Sequence, residues 1–162
     1  MIHQKLILGS GSPRRKQLLE EMGFELEVIS LDMDESFPTD MPAEQVAIFI
    51  AQKKMKALST IRSNEHLMLT ADTTVICNND LLGKPNDETH AKEILKQLSD
   101  NVHKVNTGVV ISYKGTTENI NCYTEVTFRS LTDQQIDFYI KTCKPFDKAG
   151  SYGIQDWIGL VG

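Results

Sequence analysis

Residues 6–23 read LILGSGSPRRKQLLEEMG, and few segments leave a chain so little choice of local fold. KLILG (5–9) is a short apolar run ending in glycine and reads as a buried strand. Pro13 suits the first position of a helix, and Ser12 suits its cap. Leu18, Leu19 and Met22 then recur at helical spacing, and Gly23 is a natural stop. A strand therefore meets a helix through Gly-Ser-Gly-Ser. That junction aims backbone N–H groups and the positive helix end at one spot. Gly9 and Gly11 let backbone approach a ligand closely, and Ser10 adds a hydroxyl. Arg14 and Arg15 sit in the first turn, where the helix dipole opposes cations. Either they point into solvent or an anion offsets that repulsion. The loop is not a Walker motif, because G-x-x-x-x-G-K-[ST] is absent.

The rest of the chain alternates strand and helix patterns and then turns to hairpins. FELEVIS (24–30) predicts a second strand, residues 32–42 an acidic loop, and residues 43–61 a helix with a basic C-terminal half. Residues 67–79 are β-rich, and Asn78-Asn79-Asp80 turns them back into LLGK (81–84). Asp87 to Leu98 is amphipathic with an acidic start. Residues 103–115 and 118–131 alternate around Lys114-Gly115 as a hairpin. Thr132 caps a helix that ends before Pro145, and the glycine-rich terminus (148–162) predicts a last strand. The expected fold is α/β, a mixed twisted sheet flanked by helices.

Its 162 residues make one domain, 1–162, the prior. A net charge of −5 argues against a general nucleic-acid binder, and no apolar run is long enough for a membrane span. The N-terminus lacks a basic leader before a long apolar core, so no signal peptide is expected. Cys77, Cys122 and Cys143 are isolated, with neither metal spacing nor a disulfide framework, which fits a reducing cytoplasm. His3, His66, His90 and His103 show no ligand spacing.

Several residues are candidates for chemistry. Asp72 interrupts a β-rich run, so it either faces a site or is paired. Asp32, Asp34 and Glu35 form either a solvated acidic loop or donors for Mg²⁺ or Mn²⁺. Lys84 sits in a rigid Gly-Lys-Pro turn, and Lys53, Lys54 and Lys56 lie towards a helix C-terminus. Gln155 follows a glycine hinge, and its amide suits a base edge.

Taken in order, LILGSGSPRRKQLL, TADTTV, GKPNDETHAKEILKQLS, VNTGVVI, TEVTF and DKAGSYGIQ resemble the Maf family of nucleoside triphosphate pyrophosphatases, over residues 6–155. The resemblance implies a fold with a nucleotide cleft, related to that of purine house-cleaning pyrophosphatases. It implies hydrolysis of nucleoside triphosphates to monophosphate and pyrophosphate with a divalent cation, Mg²⁺ or Mn²⁺. Asp72 is then the proton acceptor, and Asp34, where the family has Glu, a metal ligand with Asp72. Ser10, Arg14 and Arg15 match the triphosphate loop, and Lys54 and Lys84 match cationic positions. Arg14, Thr73 and Gln155 mark the subgroup acting on dTTP and UTP. Family members are often dimers, so a homodimer is the expected assembly, in the cytoplasm, with neither nucleic acid nor membrane as partner. Asp156 stands where the family commonly has Gly. The family continues past WIGLVG through a strand and helix, so this chain is expected to be truncated at its C-terminus. The competing expectation is a catalytically weak nucleotide-binding regulator linked to septum formation.

Overall fold

The computed structural model describes residues 5–160. Six strands and four helices alternate among them: β1 (Leu6–Gly9), α1 (Pro13–Glu21), β2 (Leu26–Val28), α2 (Ala43–Ile61), β3 (Leu67–Cys77), β4 (Asp80–Leu82), α3 (Glu88–Leu98), β5 (Val102–Tyr113), β6 (Thr116–Thr127) and α4 (Asp133–Cys143). Strand order is β2-β1-β3-β5-β6, with β4 paired to β3. β1 lies parallel to both β2 and β3, Leu6 facing Leu26 on one side and Leu67 on the other. β4 returns antiparallel, Val75 opposite Leu82. The fold is thus α/β with a mixed sheet. Helices α1 and α2 make the crossovers that parallel neighbours require.

Local chemistry explains these boundaries. Ser12 Oγ accepts from the Arg15 N–H, and Pro13 opens α1. Gly23, at φ +88°, closes α1, with Phe24 N–H donating to the Leu19 carbonyl and Gly23 N–H to the Glu20 carbonyl. Asn78 and Asn79 (φ 51° and 70°) and Lys114 and Gly115 (φ 50° and 79°) are left-handed pairs that match two-residue hairpin turns. Thr132 and Gln135 form a reciprocal capping box on α4. FELEVIS forms a shorter strand than expected, Leu26–Val28, with the Ile29 N–H adding one bond to the Leu8 carbonyl.

The chain divides into two compact units, Met1–Asp72 with Thr107–Cys122, and Thr73–Asn106 with Tyr123–Gly162. The first has a core of Ile7, Ala51, Met55, Leu58, Met68 and Val110. Here α2 lies hard against the sheet. A Cβ on Gly108 of β5 would come within 2.4 Å of the Ile48 Cα and backbone N, and neither can yield without moving the helix. Gly108→Ala is therefore expected to cost about 2–4 kcal/mol or to prevent folding. Urea unfolding checks this, and a change below about 0.5 kcal/mol would overturn it.

The second unit packs α3 and α4 over Val75, Cys77, Leu82 and Phe128. Among the described residues, 148–160, the expected final strand does not form. Residues Ala149–Ser151 and Trp157–Leu160 are short 3-10 turns instead. Gly150 and Ser151 are both left-handed (φ 70° and 60°), which breaks an extended run, and i to i+3 bonds curl residues 153–159. Val161, Gly162 and His3 lie outside the described residues.

His103 is 1% exposed in this unit, its Nε2 2.6 Å from the Tyr152 hydroxyl and its ring edge-on to Phe128. Burial lowers its pKa from 6.5 to about 4. The folded ring stays neutral down to that value, whereas the unfolded chain takes up a proton nearer 6.5. The unfolded state therefore binds more protons in this window, and stability falls as pH drops through it. The expected loss from this group between pH 7 and pH 4 is on the order of 2 kcal/mol. Urea unfolding across that range should show it, and His103→Gln should flatten the slope; an unchanged slope would refute the assignment.

Candidate active site

Residues 68, 70 and 72 alternate onto one face of β3. Met68 enters the core, the Thr70 hydroxyl donates to the Ala51 carbonyl at 2.7 Å, and Asp72 Oδ1 accepts from Lys54 Nζ at 2.7 Å. Opposite them, α2 presents Ala47, Ala51, Lys54, Met55 and Leu58 as one buried stripe. Lys54 thus occupies a core position, its side chain 10% exposed against 15% for Asp72. Glu35 Oε1 lies 2.8 Å from the same Nζ. One ammonium is held by two carboxylates.

Arg15 adds a second cation. Its guanidinium donates to the Ala71 carbonyl at 2.8 Å and to Ser10 Oγ at 3.1 Å. Burial draws its pKa below the usual arginine value, while Asp72 and Glu35 act in the opposite sense. Ser10 Oγ also accepts from the Ser12 N–H at 3.3 Å, so the glycine-serine loop holds its own shape. Ser10, Arg15, Lys54 and Asp72, four candidates scattered along the sequence, converge in this unit.

Two other candidates of the same unit, Arg14 and Asp34, are exposed and pair elsewhere. Arg14 is exposed and donates to the Gln17 side chain at 3.0 Å. Asp34 has a 74% exposed side chain that accepts from Ser36 and pairs with Lys53 Nζ at 3.5 Å. The Ser36 bonds hold it below the ordinary carboxylate range. Consecutive acidic residues thus serve adjacent lysines, and Glu35, not Asp34, reaches the Asp72 pair. In the sequence Glu35 is one of three acidic residues of a loop, and nothing there prefers it, because loop side-chain direction follows no period. For Lys54 a signal existed: among Lys53, Lys54 and Lys56, it alone continues the apolar stripe of α2.

Thr73, Lys84 and Gln155 belong to the second unit. Thr73 is half-buried in β3, and Lys84 is exposed just after β4. The Gly150 N–H donates to the Gly83 carbonyl at 3.1 Å, joining the Lys84 turn to the 148–156 segment. Gln155 is exposed between the two 3-10 turns.

Among the described residues, no group of three or more His, Cys, Asp or Glu side chains gathers as a metal cluster. Asp72 and Glu35 nevertheless share one ammonium, so both carboxylates approach a single cationic point. An oxygen-only pair fits a hard divalent ion that takes its remaining ligands from phosphate oxygens and water.

The model of the Maf-like protein family matches residues 5–162. The chain belongs to that family. A Phocaeicola vulgatus protein named dTTP/UTP pyrophosphatase is 43% identical over 159 residues, covering 98% of this Maf-like chain and 82% of that protein. Proteins of the same name from Porphyromonas gingivalis W83 (41% over 160 residues, 97% and 80% covered) and Flavobacterium psychrophilum (42% over 158 residues, 98% and 81% covered) are similar to the same extent. Among solved structures, the Staphylococcus aureus Ham1 protein matches with a TM-score of 0.49 at 12% identity, covering 77% of this chain and 72% of that one. No helix among the described residues of the Maf-like chain is long and apolar enough to cross a membrane.

Removing one member of the Lys54 cluster should be felt in stability. Lys54→Met leaves two carboxylates facing each other without their shared cation and is expected to cost on the order of 1–3 kcal/mol. Lys53→Met, at an exposed pair, is expected to change stability by less than about 0.5 kcal/mol. Denaturant unfolding of both variants checks the contrast, and equal effects would remove Lys54 from its place as the hub.

Proposed function

We propose that this protein hydrolyses nucleoside triphosphates, dTTP and UTP above others, to the nucleoside monophosphate and pyrophosphate. The observation that carries this reading is the Lys54 ammonium held between Asp72 and Glu35 beside the Arg15 guanidinium. Relatives at about 40% identity bearing the name dTTP/UTP pyrophosphatase support it. The intact charged cluster favours an enzyme over a regulator that has lost turnover.

Asp72 takes the proton of the attacking water. The new bond forms at the α-phosphorus, the bond to the β-phosphate oxygen breaks, and pyrophosphate departs. Lys54 has three N–H donors, two directed at the carboxylates and the third available to a phosphate oxygen. Arg15 and Lys54 offset charge on the departing pyrophosphate, a largely electrostatic contribution. Ser10 orients Arg15 and lines the phosphate loop. Asp72 and Glu35 would hold the divalent ion. When bound, such an ion lowers the pKa of a water and polarises the phosphate. Lys84 contributes to phosphate binding, and Arg14, Thr73 and Gln155 bear on the choice of base.

The test is pyrophosphate release from dTTP, UTP, CTP, dATP and GTP with Mn²⁺. Release is expected from dTTP and UTP first. Asp72→Asn should lose turnover by about 100-fold or more while still binding nucleotide. Folded protein that releases pyrophosphate from none of the five would overturn the reading.

A further inference from the structure

Asp156 follows Gln155 directly, where the resembling family commonly has glycine. An acidic side chain there would repel a triphosphate if it pointed freely into solvent. It does not. Asp156 Oδ2 accepts from the Tyr139 hydroxyl at 2.8 Å, and Lys148 Nζ lies 3.9 Å from the same oxygen. The Tyr139 oxygen in turn accepts from the Gly153 N–H at 3.1 Å. Asp156 N–H returns to the Gly153 carbonyl at 2.9 Å, and Gly159 N–H to the Asp156 carbonyl at 3.0 Å. One phenol on α4 therefore grips both ends of the Gly153–Asp156 turn, and Gln155 is carried on that turn.

The grip has a rigid base and little slack. Tyr139 is fully buried on α4 among Ile136, Ile140 and Leu95 of the unit's core. Burial raises its phenol far above the ordinary range, so the hydroxyl keeps its proton and remains a donor. A Cβ at Gly153 would meet Asp156 Oδ2 at 2.9 Å, so a side chain at residue 153 would push this carboxylate from its present place. Beyond Asp156, Trp157 packs edge-on against Phe138 of α4 at 5.0 Å. The turn is thus fastened to one helix at Gly153, Asp156 and Trp157.

We infer that Tyr139 and Asp156 are positioning residues for base selection, clasping the Gly153–Asp156 turn so that Gln155 is presented in one orientation. This rests on the reading of Gln155 as a base-contacting residue of a pyrophosphatase. The chemistry is economical. A pyrimidine base is read by one or two hydrogen bonds, and an amide on a loosely held turn discriminates poorly, because ordering it consumes the binding energy that would separate one base from another. Asp156 supplies the clasp that a glycine at the same place cannot.

The experiment compares Tyr139→Phe, Asp156→Ala and Asp156→Asn with the parent protein, using kcat and KM for UTP and CTP with Mn²⁺. Tyr139→Phe keeps the ring in its buried seat and removes only the hydroxyl. It and Asp156→Ala are expected to raise KM for UTP about three- to tenfold and to narrow the UTP-to-CTP ratio of kcat/KM by a similar factor. Asp156→Asn keeps an acceptor for the phenol and should retain the parent ratio. In a Gln155→Ala background, Tyr139→Phe should change the ratio no further, because the clasp acts through Gln155. An unchanged ratio in both Tyr139→Phe and Asp156→Ala overturns the inference, as does a ratio that still shifts when Gln155 is absent. Trp157 is the single tryptophan, so acrylamide quenching of its fluorescence reads the turn without turnover. Quenching should rise in Tyr139→Phe and Asp156→Ala, and equal quenching in all variants denies the clasp. A folded parent that releases no pyrophosphate from any nucleotide overturns the enzymatic reading and the base-selective role with it, while the quenching still decides whether the turn is held.

Discussion

The seat of α2 on the sheet is the contact from which the charged cluster follows. Gly108 lets the helix backbone at Ile48 descend to the strand, and the buried bond from Thr70 to the Ala51 carbonyl fixes how far the helix can slide along β3. A helix held at those two points brings residue 54 over residue 72, since Ala51 and Lys54 are three apart on α2 while Thr70 and Asp72 are two apart on β3. The Lys54–Asp72 ion pair is then a consequence of backbone packing. It does not fold the unit, because buried ion pairs contribute little net stability against their desolvation cost. It specifies where charge sits in a unit whose stability comes from Ile7, Met55, Leu58 and Met68.

That ordering explains how an acidic protein can present cations to an anion. The net charge of −5 is spread over the chain, whereas Arg15 and Lys54 lie beside the carboxylates of Asp72 and Glu35. Two cations against two carboxylates leave the cluster near neutral until something anionic arrives. Lys53 and Asp34, one residue away on each side, show what the same residue types do when exposed: they pair weakly and pin a loop. In the second unit, polar groups are spent on shape. The phenol of Tyr139 closes a turn, the neutral ring of His103 fills the core beside Phe128 and Tyr152, and the lysine–aspartate pairs link α3 to α4. Burial alone separates His103 from an ordinary surface histidine.

Much of the framework was legible because it depends on local rules. Ser12-Pro13 and Gly23 bracket α1, Asn78-Asn79 and Lys114-Gly115 turn their hairpins, and Thr132 begins α4, each through chemistry confined to a few neighbouring residues. The strand expected at the C-terminal end is absent from described residues 148–160 for a reason that local rules do not reach. Apolar residues and glycines there alternate well enough for a strand, but Gly150 takes a left-handed conformation in which a Cβ would strike Val75, and Tyr139 curls the next turn. In the candidate site, Asp72 announced itself as a charge in a β-rich run. Lys54 was one of three lysines towards a helix end and, like Asp34 in its acidic loop, was singled out only by the family resemblance.

By itself the sequence determined which residue types could meet an anion and in what kind of element each would lie, because strand and helix periods, caps and turns are read over a few residues. Its ordered motifs also determined the family. Only the tertiary structure decided which acid joins Lys54, which arginine turns inward and where Asp156 points. Those choices depend on residues far apart in the chain, such as Arg15 with Ala71 and Tyr139 with Asp156. Side-chain direction outside a regular element has no period from which it can be read, so it is settled by what packs against it.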